Sequence, residues 1–235
     1  MNPRDPNVAK VELVAHALGE LCEELVFVGG CAVGLLSTDL GAPPPRATID
    51  VDLVVEVASL AEYHRMEREL ERRGFAHDHA PEAPICRWRY RGLAVDLMPA
   101  EERILGFANR WYPRVVHEDQ RVVLPGGASI RLVSAPLFLA SKLEAFSDRG
   151  MKDPMASHDL EDIVNLVEAR SGLVAEVASL DMQLRGYVAE RCRAILALPR
   201  FMNYLPGLLG DEGTLEERVA RVSARFLELA VLDAR

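Results

Sequence analysis

Two aspartates one residue apart, in the run Ile49-Asp50-Val51-Asp52-Leu53, are the residues whose spacing most directly suggests chemistry. On a strand, positions i and i+2 project from one face and their neighbours from the other. The spacing therefore predicts Ile49, Val51 and Leu53 facing a core, with the Asp50 and Asp52 carboxylates side by side. Two like charges so close repel unless a cation sits between them. Magnesium is the natural candidate, because it prefers hard oxygen ligands and joins one or two carboxylates to substrate phosphates. Taken alone, a D-x-D pattern is more often the polar face of a half-exposed strand, so its meaning depends on its surroundings.

Upstream, Val28-Gly29-Gly30-Cys31-Ala32 places two glycines between a short apolar strand and a helix start. Glycine lets backbone approach a phosphate closely, and a helix N-terminus offers free N–H groups and a positive dipole end. Downstream, Asp96 lies in the apolar run Val95-Asp96-Leu97, where a lone buried carboxylate would be costly. If that strand lies beside the Asp50/Asp52 strand, three carboxylates converge, as a two-metal in-line phosphoryl transfer requires.

The elements that must position these residues follow from periodicity. Asp5-Pro6 reads as a helix opening, followed by apolar residues at helical spacing from Val11 to Leu25. Val26–Val28 reads as a strand, Cys31–Thr38 as helical, and Gly41-Ala42-Pro43-Pro44-Pro45 as a loop. Thr48–Val57 is expected to be a strand, and Ser59-x-x-Glu62 a capping box opening a charged helix to about Arg73. Hairpins are expected around Arg91-Gly92 and Gly126-Gly127. After residue 133 only helical patterns remain, including helices opened by Ser134-x-Pro136, by Ser157 and by the capping box Thr214-x-x-Glu217. The expected fold is an α/β (α+β) mixed sheet with flanking helices and a helical C-terminal region. A catalytic domain over residues 1–133 and a helical domain over 134–235 would share one cleft.

Composition narrows the class. The length and apolar content suit an ordinary globular protein, and the net charge of −9 disfavours a protein that coats nucleic acid through its overall field. Neither a DNA partner nor a membrane is expected, and the longest apolar stretch is glycine-broken and too short for a span. Cys22, Cys31, Cys86 and Cys192 form no metal-binding spacing and read as buried reduced thiols of a cytoplasmic protein.

The combination Val28-Gly29-Gly30-Cys31-Ala32 with Arg46-x-Thr48-x-Asp50-x-Asp52-Leu53 resembles the polymerase-beta-like nucleotidyltransferase superfamily. Within it, the chain is most similar to the AbiEii/AbiGii toxin-type nucleotidyltransferases and related bacterial families. The similarity extends over Val26 to Leu166, to Lys142 on a helix, Arg149, and the step His158-Asp159-Leu160-Glu161-Asp162. The resemblance implies Asp50, Asp52 and Asp96 as metal ligands for two magnesium ions. It implies Gly29, Gly30, Arg46, Thr48 and Lys142 as the nucleotide-binding set. It offers two claimants for the third acid, Asp96 on a strand and Asp159 on a helix; Asp96 is favoured as ligand and base, with Asp159 supporting. Cys31 stands where many relatives carry serine, threonine or tryptophan, and His158 where an arginine is usual.

The implied activity is transfer of a nucleoside monophosphate from a nucleoside triphosphate to an acceptor hydroxyl, with release of pyrophosphate. The acceptor is either an RNA such as tRNA, with an antitoxin protein as partner, or a small molecule of the antibiotic kind. A non-catalytic nucleotide- or partner-binding protein is the rival from another class. Other features read as structural. Arg87, Arg89 and Arg91 alternate with Trp88 and Tyr90; such a basic face could guide an RNA backbone or hold the triphosphate, but the pattern more often marks a solvated face over an aromatic contact. His77-x-His79 reads as a loop, and the cluster from Phe201 to Leu209 as core.

Overall fold

The computed structural model describes residues 1–210 and 213–234; residues 211, 212 and 235 of the expected C-terminal domain lie outside them. In chain order, helix α1 (Val8–Leu18) leads into strand β1 (Leu25–Val28), the one-turn helix α2 (Val33–Leu36), strand β2 (Asp50–Val55) and helix α3 (Leu60–Arg72). A short edge strand β3 (Ala76–His77) precedes the hairpin β4 (Arg87–Tyr90) and β5 (Leu93–Pro99). Two one-turn helices, α4 (Glu102–Leu105) and α5 (Tyr112–Val115), connect to the hairpin β6 (Gln120–Val123) and β7 (Ser129–Leu132). The rest is helical: α6 (Ala135–Ala145), a π turn (Phe146–Gly150), α7 (His158–Ala169), α8 (Leu173–Ala178), α9 (Met182–Leu196), α10 (Phe201–Leu209) and α11 (Leu215–Leu229).

The strands form one mixed seven-stranded sheet in the order β3-β4-β5-β2-β1-β7-β6. The centre is parallel where β2 meets β5 and where β1 meets β7, and antiparallel between β1 and β2. All four residues of β1 are buried, as a central strand covered on both faces requires. Val51, Leu53, Val54 and Val55 carry the same core through β2. Helix α7 is the hub of the helical half, packing on α6, α10 and α11. A buried ion pair fastens this half together: Arg218 Nε and Nη2 on α11 donate to Glu168 of α7 at 2.6 and 2.9 Å.

Several local expectations need correction. Helix α1 starts at Val8, not behind Asp5-Pro6: the Asp5 carboxylate accepts from the Asn7 backbone N–H at 2.8 Å and makes a turn before the helix. Ile49 is 78% exposed, not on the core face, because β2 begins only at Asp50. The residue before Ile49 is instead buried, its position set by Asn7. His77 is not in a loop but pairs with Trp88 as edge strand β3. The Thr214 side chain makes no capping bond, whereas Ser59 caps α3 as expected, accepting from Glu62 N–H at 3.3 Å. The cluster from Phe201 to Leu209 is itself helix α10, with Phe201, Leu205, Leu208 and Leu209 buried.

Asn7 ties the segment ahead of β2 to the body. Fully buried, its amide accepts from Thr48 N–H at 2.8 Å and from the Thr48 hydroxyl at 3.2 Å, and donates to the Arg46 carbonyl at 2.9 Å. Replacing Asn7 by alanine strands these groups in the interior. We expect Asn7→Ala to lower the unfolding free energy by about 1–3 kcal/mol in denaturant titration; an unchanged midpoint and slope would show that the 46–48 segment is held by other contacts.

Candidate active site

The sheet register builds the site. Cross-strand partners share a face and lie within contact distance. Val28 of β1 pairs with Asp52 of β2, Asp52 with Asp96 of β5, and Asp96 with Arg87 of β4. One row across four strands thus carries two carboxylates and a guanidinium, and Asp50, two residues before Asp52, joins them. Asp50, Asp52 and Asp96 each offer an oxygen within 4.8 Å of the others, the only such acidic group among the described residues. The set is all-oxygen and anionic, which suits a hard divalent cation.

The three acids are unequally compensated. Arg87 grips Asp96 with two bonds of 2.7 Å each, Nε to Oδ1 and Nη2 to Oδ2, and reaches Asp50 Oδ2 at 3.2 Å. Asp52 accepts no hydrogen bond from any described residue. Burial, and next the charge of Asp50, push the Asp52 carboxyl up to about 7, with Lys142 pulling the other way.

The glycines fit closely around this carboxylate. Gly29 holds φ at 70°, and a Cβ there would stand 1.7 Å from Asp52 Oδ2. A Cβ on Gly30 would meet Thr48 Cγ2 at 2.8 Å, Arg46 Nη2 at 3.0 Å and Asp162 Oδ2 at 3.2 Å. Both positions therefore exclude a side chain for steric reasons as well as any role toward a ligand.

Across the cleft, α6, the π turn and α7 present a second charged cluster. Asp159 and Asp162, one helical turn apart on α7, share a face. Asp162 is fully buried; it forms an ion pair with Lys142 Nζ at 2.7 Å and accepts from Arg46 Nε and Nη2 at 3.1 and 3.2 Å. Asp159 accepts from Lys142 at 3.1 Å and from Arg149 Nε and Nη2 at 2.7 and 3.0 Å. Burial alone would pull the Lys142 ammonium down, but Asp162 and Asp159 together hold it above the usual lysine value. The π turn that carries Arg149 depends on Gly150, where a Cβ would stand 2.3 Å from the Phe146 ring. Such turns often mark working sites.

Both clusters open onto one cavity of about 630 Å³, lined among others by Gly29, Gly30, Arg46, Asp50, Asp52, Asp96, Lys142 and Asp159. That volume suits a nucleotide-sized ligand. Thr48 is the expected site residue that does not line it: its hydroxyl donates inward to Asn7 or to the Asp50 carbonyl. Cys31 is also turned away, its thiol donating to the Val28 carbonyl at 3.2 Å. His158 sits exposed at the cavity edge beside Glu161.

Two residues have partners that the sequence does not indicate. Asp162 was visible as the i+3 partner of Asp159, but nothing local indicates that it would bind both Arg46 and Lys142. Arg87 looked like part of a solvated basic face, and only the β4–β5 register turns it onto Asp96.

The model of the family described as nucleotidyl transferase AbiEii toxin, Type IV TA system, matches residues 12–234. The match thus extends past Leu166 through the helical region that the motif resemblance had left unaligned. No curated protein matches the sequence. Among solved structures the chain is similar to JHP933 from Helicobacter pylori, at 12% identity and a TM-score of 0.45, covering 98% of this chain and 94% of that one. It is likewise similar to a candidate nucleotidyltransferase from H. pylori, at 12% identity and a TM-score of 0.46, covering 100% of this chain and 98% of that one.

Two outcomes follow from the packing around Asp52. A non-glycine residue at a left-handed position costs about 1–3 kcal/mol before any clash is counted. Gly29→Ala is expected to destabilise the fold, and by less in an Asp52→Ala background, where the nearest clashing atoms are gone; equal costs in the two backgrounds would contradict the contact. The second outcome concerns pH. An ordinary aspartate titrates near 3.9 when unfolded, while folded Asp52 titrates at about 7. Between these values the folded state holds the extra proton, so this group's contribution makes stability fall as pH rises. In chelator-treated protein, wild type should lose stability relative to Asp52→Asn as pH rises from 4 to 7; parallel profiles would refute the shift.

Proposed function

The chain belongs to the AbiEii family of nucleotidyltransferases, and on that basis we propose that it moves a nucleoside monophosphate from a nucleoside triphosphate to a hydroxyl of an RNA acceptor, tRNA first among them. The observation that carries the reading is the convergence of Asp50, Asp52 and Asp96 at the floor of the cavity whose wall is the Gly29-Gly30 turn.

Asp50 and Asp52 are the proposed holders of magnesium. When bound, magnesium neutralises charge on the triphosphate and on the departing pyrophosphate. Asp96 orients the acceptor hydroxyl and takes its proton as the oxygen bonds to the α-phosphorus. The bond from that phosphorus to the bridging oxygen breaks, and pyrophosphate leaves. A carboxylate offers about four lone-pair sites, so Asp96 can keep both bonds to Arg87 and still accept from a hydroxyl. Gly29 and Gly30 admit the β- and γ-phosphates close to backbone. Arg46 and Lys142 face them with positive charge, while Asp162 and Asp159 hold these cations in place. Positioning and electrostatics carry most of the rate in such reactions.

A type IV toxin–antitoxin assignment of the family supports an antitoxin protein as partner. A cytoplasmic location is the reading that fits triphosphate and tRNA as substrates. No helix among the described residues is long and apolar enough to cross a membrane.

The test is incubation of the purified chain with magnesium, labelled triphosphates and total cellular RNA. Label should enter tRNA, and Asp52→Asn should reduce incorporation at least about a hundredfold. Label entering only a small-molecule fraction would replace the RNA acceptor by a small one. Wild type and variant equally inert, with nucleotide still bound, would make the chain a binding module.

A further inference from the structure

Resting on the metal-site reading above, we propose that Arg87 takes the place of one of the two cations expected from the sequence, so that the chain holds a single divalent ion at Asp50 and Asp52, with Asp96 reserved for the guanidinium. Three observations carry this.

The first is the distribution of bonds. Both Asp96 oxygens are taken by Arg87 at 2.7 Å, a fork-on-carboxylate pairing that is among the strongest side-chain hydrogen bonds. Asp50 gives up only Oδ2, at 3.2 Å, and Asp52 gives up neither oxygen. The uncompensated negative charge therefore lies on Asp52 and the free oxygen of Asp50, and a cation is drawn there.

The second is that Arg87 is built into the site. Its Cα is paired with Asp96 in the β4–β5 ladder. Its own N–H donates to the Pro84 carbonyl and its carbonyl accepts from Asp78 N–H, each at 2.9 Å. The side chain is 19% exposed and that of Asp96 11%, so solvent screens the pair poorly. A second divalent ion could use only the lone pairs that Arg87 leaves on Asp96, beside a guanidinium charge that repels it.

The third is charge balance. With Asp52 ionised by a bound ion and no triphosphate present, three carboxylates against one guanidinium leave a surplus of two negative charges, which one divalent ion cancels. With Arg87 in place, a second ion would face a site already neutral.

The test is titration with Mn²⁺, counting bound ions by electron paramagnetic resonance, on the full chain and three variants. Wild type should bind one Mn²⁺ per chain. Asp96→Asn should retain that ion, weakened by no more than about tenfold for the lost unit charge, because Asp96 is not its ligand, whereas Asp52→Asn should lose it. Arg87→Met should bind a second ion, or bind Mn²⁺ about tenfold tighter or more, since a unit positive charge near the ligands has gone. Two ions bound by wild type, or loss of the single ion in Asp96→Asn, would overturn the inference while leaving the metal reading intact. Arg87→Met binding as wild type does would also overturn it. If Arg87→Met fails to fold, the wild-type count and Asp96→Asn decide. No Mn²⁺ bound by any form would overturn the metal reading itself.

Discussion

Three carboxylates within 4.8 Å of one another repel strongly in a partly dry cleft, and positive charge must share their space for the fold to tolerate them. Much of the architecture answers to this one constraint. Strand β4 delivers Arg87 onto Asp96 and Asp50. The turn after β1 has no side chain at Gly29, because the space is filled by Asp52. What is left over is a directed deficit of positive charge around Asp52 and Asp50, and the proposed cation site rests on that deficit.

The opposite wall solves the converse problem. Lys142 is nearly buried, and a buried ammonium is stable only when paired. Asp162 and Asp159 supply the pairing on two successive turns of α7, and Asp162 extends it to Arg46 in the segment that leads into β2. The ion network therefore connects the sheet to the helices across the cavity. Helix α7 can act as a fixed wall because it is anchored behind by the Glu168–Arg218 pair and capped in front by Ser157, which accepts from Leu160 N–H at 3.3 Å. Cations held by buried acids are arranged in advance, which is what the proposed electrostatic stabilisation of phosphate requires.

Most of the elements were legible from local pattern. The strands β1 and β5 follow from short apolar runs, β2 and β4 from alternation, α3 from its capping box, and α7 from Ser157. Where the reading failed, a tertiary contact had overridden a local preference. Asp5-Pro6 is a good helix opening in isolation, yet the buried Asn7 anchors the chain to Thr48 and the helix starts after it. Ile49 continues the apolar alternation of β2, but the chain reaches Ile49 through a segment fixed by Asn7 and has not yet entered the sheet. Thr48, placed by motif beside the phosphate-binding residues, has its hydroxyl drawn inward by the same asparagine.

What the sequence determined by itself is chemistry at short range. The i, i+2 spacing of Asp50 and Asp52 puts both on one strand face, the two glycines make a turn where backbone alone approaches, and the two together identify the family. Those features are local because strand pleat and glycine sterics act over a few residues. What tertiary structure alone decided is the neighbourhood of each charge. The pairing of Asp52 with Asp96, and of Asp96 with Arg87, depends on a register shared by strands up to about 40 residues apart in sequence. The burial of Asp162 against Lys142 and Arg46 depends on packing α7 against α6 and beside the segment that leads into β2. Register and packing are settled by the whole core at once, so no single stretch of the chain records them.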